Sequence, residues 1–85
     1  MDPMEEATNK QQIKFSVQTV SYQIEEMIKK GGTHLFYSEI AEGDRQYRPC
    51  VLQKHITDVV IALQRKYHGV VVVSRTPGGI VVDSI

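Results

Sequence analysis

Apolar residues in the N-terminal third of the chain recur at steps of three or four, which is the period of a helix. This stripe predicts a helix over residues 12–30. Its members are Ile13, Val17, Val20, Ile24, Met27 and Ile28. Lys29 and Lys30 suit the negative end of a helix, and Gly31 and Gly32 can form a left-handed cap, so we expect the helix to stop there.

A second stripe lies in the C-terminal half and predicts a helix over residues 49–67. Pro49 is preorganised for the first turn of a helix, and Gly69 lies just beyond the predicted end. On a helical wheel, six apolar residues fall within about 100° of one another, as a core-facing helix requires. These residues are Leu52, Ile56, Val59, Val60, Leu63 and Tyr67.

Residues 70–83 predict a β-hairpin that begins directly after this helix. Thr76-Pro77-Gly78-Gly79 matches a type II turn, with proline at the second position and glycine at the third. The turn predicts the pairs Arg75 with Ile80, Val73 with Val82, Val71 with Ser84, Ser74 with Val81 and Val72 with Asp83. Four consecutive valines place apolar groups on both faces. One face therefore covers the domain, and the other is half-exposed or meets a partner.

Residues 33–44 (THLFYSEIAEGD) leave two alternatives open. We favour a short strand over residues 35–37 followed by a short helix that begins after Ser38 as N-cap and stops at Gly43. Acidic residues follow the serine, and strand-like alternation is poor. The alternative is a strand over residues 35–40, in a hairpin that turns at residues 42–44. A polar connector to the second helix follows in either case.

Length and composition bound the class of protein. A chain of 85 residues with 41% hydrophobic and 24% charged residues is typical of one globular domain with a modest core. The mostly polar residues 1–12 predict a mobile tail, and residues 13–85 the domain. The single cysteine, Cys50, cannot form an internal disulfide, which fits a reducing compartment. No signal peptide or apolar run near the roughly 18 residues of a membrane span is present, so we expect no membrane partner and a cytoplasmic or nuclear location.

Charge is unevenly distributed, although the formal net charge is zero. Residues 1–42 carry four cationic and seven acidic side chains, whereas residues 43–85 carry six and three. A neutral chain is unlike a protein that coats DNA indiscriminately, but a positive half is a recognised sign of a nucleic-acid surface. The alternative is that both halves are ordinary solvated surface.

The spacing of histidine and cysteine residues argues against catalysis and metal binding. Cys50 and His55 would lie about 140° apart on a helix, so they would not form a nucleophile pair. His34, His55 and His68 lack the spacing of a metal site. We therefore expect no enzymatic activity, no cofactor and no metal.

The order helix, short strand or helix, helix and hairpin resembles a winged helix-turn-helix domain. The likeness is carried by residues 37–41 as helix two, residues 51–56 at the start of the recognition helix, Val59 and residues 63–65 further along it, Gly69, and residues 71–82 as the wing. With the first helix it covers about 70 residues. It implies an α+β fold in which three helices are followed by a two-stranded β-hairpin wing.

The resemblance implies a small DNA-binding regulator that places helix 49–67 in the major groove of double-stranded DNA. The candidate base-edge contacts are Gln53, Lys54 and Thr57. The candidate contacts to phosphates or the minor groove are Arg45, Arg48, Arg65, Lys66 and Arg75. The alternative interpretation is that these polar side chains only face water.

A second hypothesis is a protein-interaction or dimerisation module without nucleic-acid binding. Apolar residues on the outer face of the second helix and on both faces of the hairpin favour a protein partner, and a hairpin edge is a place where another chain can add a strand. The partner would be a second copy or another protein. The candidate residues are Ile61, Val72 and Val81. A third alternative is stacking of single-stranded nucleic acid on Tyr37, Tyr47 and Tyr67, which the place of Tyr67 in the apolar stripe counts against.

Overall fold

The computed structural model describes residues 3–44 and 50–85 of the chain. In chain order, the elements within these ranges are helix α1 (Pro3–Lys29), strands β1 (His34–Ile40) and β2 (Cys50–Leu52), a 3-10 turn (Gln53–His55), helix α2 (Ile56–Lys66), and strands β3 (Val71–Thr76) and β4 (Gly79–Ser84). The strands form one mixed sheet in the order β2-β1-β4-β3. Strands β1 and β2 are parallel, and the other neighbours are antiparallel. Neither α1 nor α2 has the length and apolar composition of a membrane-spanning segment.

Both helices pack against the same face of the sheet. The inward side chains of the strands join those of α1 and α2 in one hydrophobic cluster. Its buried members are Val20, Ile24, Tyr37, Val51, Ile56, Val59, Val60, Leu63, Tyr67, Val71, Val73, Ile80 and Val82. On the opposite face of the sheet, Phe36 and Val72 are about half exposed, and none of the described helices covers them. The domain is therefore two layers deep, with one face of the sheet open.

Helix α1 ends where the sequence predicts but begins earlier. Gly31 has a φ of 72°, the left-handed conformation of a helix cap, and the helix stops at Lys29. The helix starts at Pro3 rather than at residue 12, so residues 3–12 of the predicted tail are helical. Proline suits the first helical position, and acidic side chains in the first turn favour the positive end of the helix. The proline and the acidic side chains that mark the start of the helix are independent of the apolar periodicity, from which residue 12 was predicted as the start.

The predicted fold of three helices followed by a two-stranded hairpin is wrong. The described residues contain two α-helices and a four-stranded mixed sheet, so the class is α+β but the architecture is not the predicted winged helix. The short helix expected after Ser38 is replaced by the end of β1, because pairing with β2 and a hydrogen bond from the Glu39 N–H to the carbonyl oxygen of Gly78 satisfy main-chain groups of this segment. The alternative of a strand over residues 35–40 is correct. That strand does not turn into a hairpin, since β2 runs parallel to it.

The second helix is shorter than predicted. It begins at Ile56. Pro49, the predicted first residue of the helix, lies outside the described residues. Residues 50–52 form strand β2, in which Val51 is buried. Leu52 shares the helical period of α2, but pairing with β1, a strand distant in sequence, overrides that period.

The β3–β4 hairpin has the predicted register, with all five predicted residue pairs present. Gly78 has a φ of 93°, as the third position of a type II turn requires. Gly79 is required because a Cβ at this position would collide with the carbonyl oxygen of Tyr37 on β1. The turn thus sets the register of the hairpin, and the close approach of β1 restricts the position after the turn to glycine.

Candidate interaction surface at strand β3

Strand β3 is an edge of the sheet. It pairs with β4 on one side, and no described strand pairs with its other side. In an antiparallel ladder, alternate residues turn their main-chain N–H and C=O groups toward the neighbouring strand and away from it. Thr76 and Gly79 flank the two-residue turn and form a hydrogen-bonded pair, so the residues that turn away from β4 are Val71, Val73 and Arg75.

Helix α2 borders this open edge through one flank. Nη1 of Arg75 donates a hydrogen bond of 2.8 Å to Oγ1 of Thr57, and Nε2 of Gln64 donates one of 2.9 Å to the carbonyl oxygen of Val73. Because Thr57 precedes Gln64 while Arg75 follows Val73, the helix and the strand run antiparallel. Ile61 lies between Thr57 and Gln64 at helical spacing and therefore belongs to the same flank.

Apolar side chains are exposed on both sides of the edge. Ile61 is 42% exposed on the helix side, and Val72 is 50% exposed on the open face of the sheet. Val70 and Ile85 are also exposed, and Ile85 lines a groove of about 390 Å³ beside β3. We define the β3 edge surface as strand β3 together with Ile61, Gln64, Val70 and Ile85.

Three of the predicted DNA-binding cations, Lys54, Lys66 and Arg75, contact different parts of the fold. Nζ of Lys54 lies 3.3 Å from a carboxylate oxygen of Glu42, and Nζ of Lys66 donates to Oγ of Ser21 on α1 at 3.2 Å. The guanidinium of Arg75 faces α2 beside the edge of the sheet. These three side chains therefore point toward different neighbours.

Other residues predicted to contact DNA lie along the outward side of α2 and the turn that precedes it. Gln53 and Arg65 are exposed there, whereas Thr57 is exposed on the flank toward β3, where its hydroxyl accepts the hydrogen bond from Arg75. Asp58 is exposed among them, and its carboxylate would repel a phosphate. Arg45 and Arg48 lie outside the described residues.

Of the three residues predicted for protein interaction, Ile61 and Val72 lie at the β3 edge, on opposite faces of the sheet. Val81 is half-buried on the central strand β4, where it pairs with Phe36 and Ser74. Phe36 is exposed on the open face. The sequence did not mark it because neither alternative for its segment predicted pairing with β4.

Two of the three tyrosines considered for base stacking belong instead to the core. Tyr37 and Tyr67 are buried. Burial, with a smaller contribution from nearby Cys50, raises the pKa of Tyr37 to about 12, so its phenol stays neutral. Neither ring offers a face to a base, and Tyr47 lies outside the described residues.

His55 is a buried polar residue that no pattern in the sequence marked. Its Nε2 lies 3.4 Å from Oδ1 of Asn9, and its Nδ1 has no hydrogen-bond partner in the described structure. Burial lowers the pKa of His55, and the charge of neighbouring Lys54 lowers it further, so the imidazole is neutral at neutral pH. If residues 49–67 formed one continuous helix, His55 would lie outside its apolar stripe. The sequence therefore did not predict that His55 is buried.

No protein-family model, curated protein or solved structure matches this chain. Within residues 3–44 and 50–85, no group of three or more His, Cys, Asp or Glu side chains is arranged to hold a metal ion. The β3 edge surface combines an open main-chain edge with exposed apolar side chains. It is therefore the strongest candidate for a functional surface among the described residues.

Proposed function

We propose that the protein is an interaction module that binds an extended segment of a partner alongside strand β3. The observation that carries this proposal is the open edge. The N–H groups of Val73 and Arg75 face away from β4 and have no hydrogen-bond partner among the described residues. An added strand supplies acceptors to these donors and supplies donors to the carbonyl groups of β3.

Apolar side chains beside the edge add a hydrophobic contribution to main-chain pairing. Each main-chain hydrogen bond contributes about 0.5–1.5 kcal/mol net. Complete burial of an isoleucine or valine side chain contributes about 1.5–3 kcal/mol. Because Ile61 and Val72 are about half exposed, a strand that covers them gains part of that amount at each residue. The combination favours an apolar partner segment over a polar one.

Selection of peptides from a random phage-displayed library against the whole chain tests this proposal. We expect enrichment of peptides rich in β-branched residues, because these residues favour the extended conformation. Their binding should shift the NMR amide resonances of Val71, Val73 and Arg75. Val72→Lys should weaken binding, since a charged side chain on an edge strand opposes further pairing.

The matched control is Ile28→Lys on α1. Ile28 is 45% exposed, against 50% for Val72, and lies on a different element. This variant should bind the selected peptides as tightly as the unsubstituted chain. A library that yields no binder at chain concentrations where the protein is monomeric, or binders that are insensitive to Val72→Lys and shift resonances elsewhere, would overturn the proposal.

A second candidate function is the binding of double-stranded DNA through the outward side of α2. Exposure of Gln53, Lys54 and Arg65, in the half of the chain with six cationic and three acidic side chains, favours it. The test is a salt titration of duplex binding, in which each phosphate contact contributes about −0.9 to the slope of log affinity against log salt. Combining Lys54→Ala with Arg65→Ala should lower the affinity and flatten the slope. Unchanged affinity and slope would dismiss this candidate.

A further inference from the structure

We infer that the extended partner is strand β3 of a second copy of this chain, paired antiparallel across a two-fold axis. The inference rests on the proposed strand-accepting function and names its partner. An antiparallel pair of β3 strands is isologous, so each copy offers the other the same open edge. Strand β3 (VVVSRT) is itself an extended segment rich in β-branched residues, of the kind that such an edge favours.

The two-fold arrangement also determines how the two α2 helices meet. Within one chain, α2 runs antiparallel to β3, as the hydrogen bonds from Arg75 to Thr57 and from Gln64 to Val73 require. Pairing β3 with its copy therefore places the two α2 helices side by side and antiparallel, on the same face of a continuous sheet.

The side chains along α2 are ordered so that this arrangement is self-complementary. Asp58 lies three residues before Ile61 and Arg65 lies four residues after it, and all three are exposed on neighbouring turns. Asp58 and Arg65 lie on the outward side of α2, next to Ile61 and not on the flank of Thr57 and Gln64. In an antiparallel helix pair, the two Ile61 side chains meet near the axis, and the long side chain of Arg65 reaches Asp58 of the other copy across the outer side of the pair. The order acid, apolar residue, base thus matches what an isologous antiparallel contact requires.

Both charged side chains are available for such a contact. Among the described residues, neither Asp58 nor Arg65 forms an ion pair, in contrast to Lys54, which is paired with Glu42. The formal net charge of the chain is zero, so two copies carry no overall repulsion. A neutral chain offers no general electrostatic attraction to a charged peptide. The charges of Asp58 and Arg65, unpaired among the described residues, and the zero net charge therefore favour a second copy as the partner.

Sedimentation equilibrium of the whole chain at low salt tests the inference. We expect a dimer that forms with increasing concentration. Asp58→Arg and Arg65→Asp each replace two attractive contacts by repulsive ones, so each should raise the dimer dissociation constant about ten-fold. An equimolar mixture of the two variants should restore association, because each then offers the charge that the other lacks. That restoration also shows that both variants fold.

The control is Lys14→Asp, a charge reversal at an exposed position of α1, which should leave the dissociation constant unchanged. A chain that stays monomeric yet binds β-branched peptides along β3 would overturn the second copy as partner and leave the strand-accepting function standing. A monomeric chain that binds no peptide would overturn both. A dimer with the same dissociation constant in every variant would place the contact on another surface and overturn the inference.

Discussion

The side-chain amide of Gln64 donates a hydrogen bond of 2.9 Å to the main-chain carbonyl oxygen of Val73. This contact gives one acceptor on the open edge of β3 a partner within the chain. The N–H groups of Val73 and Arg75 keep no such partner among the described residues. Helix α2 therefore shields the edge only in part, and a strand that adds to β3 has to displace one amide.

Gln64→Ala removes the amide that competes with a partner strand for the Val73 carbonyl oxygen. We expect the free energy of unfolding to fall by about 0.5–1.5 kcal/mol, since a hydrogen bond is lost at a site that water can reach. We also expect the dimer dissociation constant to fall, because association no longer displaces the amide. Urea denaturation and sedimentation equilibrium measure the two effects. A rise in the dissociation constant would show that Gln64 supports association instead.

Gly79→Ala tests the close approach of β1 to the hairpin. The new Cβ would collide with the main-chain carbonyl oxygen of Tyr37, which cannot move without disturbing β1. We expect the free energy of unfolding to fall by about 1–3 kcal/mol, as in other overpacked sites. Gly32→Ala is the control, because the nearest atom to its Cβ belongs to the side chain of Met27 and the nearest main-chain atom, the Met27 carbonyl oxygen, lies 3.2 Å away, which is farther than at Gly79. Equal losses in the two variants would contradict the close approach.

His55 should make the stability of the domain depend on pH. Its pKa in the folded chain lies below the ordinary value of 6.5, chiefly because of burial. Below about pH 6.5 the unfolded chain therefore binds more protons than the folded chain, and stability falls as the pH falls. The contribution of His55 to stability is complete above that pH and is lost as the pH falls through the lowered pKa.

Urea denaturation of the chain and of His55→Leu, from about pH 8 to about pH 5, measures this dependence. We expect a smaller loss of stability on acidification in the variant, since leucine cannot take up a proton. His68→Leu, at an exposed position, is the control and should keep the dependence of the unsubstituted chain. An identical pH dependence in His55→Leu would show that other groups cause it.

Alanine substitutions at Ile24 and Ile28 test which side of α1 faces the sheet. Both residues belong to the apolar stripe predicted from the sequence, but Ile24 is 0% exposed and Ile28 is 45% exposed. Ile24→Ala should cost about 2–5 kcal/mol of stability, because it leaves a cavity in the core. Ile28→Ala should change stability by less than about 0.5 kcal/mol, as at most surface positions. Similar losses in thermal or urea denaturation would contradict the orientation of α1.

Features set by local signals could be predicted from the sequence. Pro77 and Gly78 define the hairpin turn, and the two-residue period of a strand then determines every pair as far as Val71 and Ser84. The end of α1 depends in the same way on Gly31. Each of these features is decided within a few residues of the signal.

Strands β1 and β2 depend on partners that are distant in the sequence. Ser38 and the acidic residue after it resemble the start of a capped helix, and Leu52 fits the stripe of α2. Their conformations are set instead by a sheet in which Ser38 pairs with Cys50 and Tyr37 pairs with Ile80. No local pattern distinguishes these two outcomes, so the fold of three helices was predicted in error.

The candidate surface was predicted only in part. Ile61 and Val72 could be marked because they are apolar at positions that the helix and strand periods turn outward. The open edge of β3 and the cover supplied by Gln64 could be recognised only from the strand order and the direction of α2. The same holds for the significance of the order of Asp58 and Arg65 along α2. DNA contacts on α2 stay a prediction.

The exchange of main-chain amide hydrogens at Val73 and Arg75, followed by NMR at increasing chain concentration, tests the open edge most directly. Ser74 is the internal reference, because its N–H faces β4 in the ladder. We expect exchange at Val73 and Arg75 to slow as the concentration rises, while exchange at Ser74 changes far less. Exchange at Val73 and Arg75 that stays the same at every concentration, and also on addition of a selected β-branched peptide, would contradict the claim that β3 accepts a partner strand.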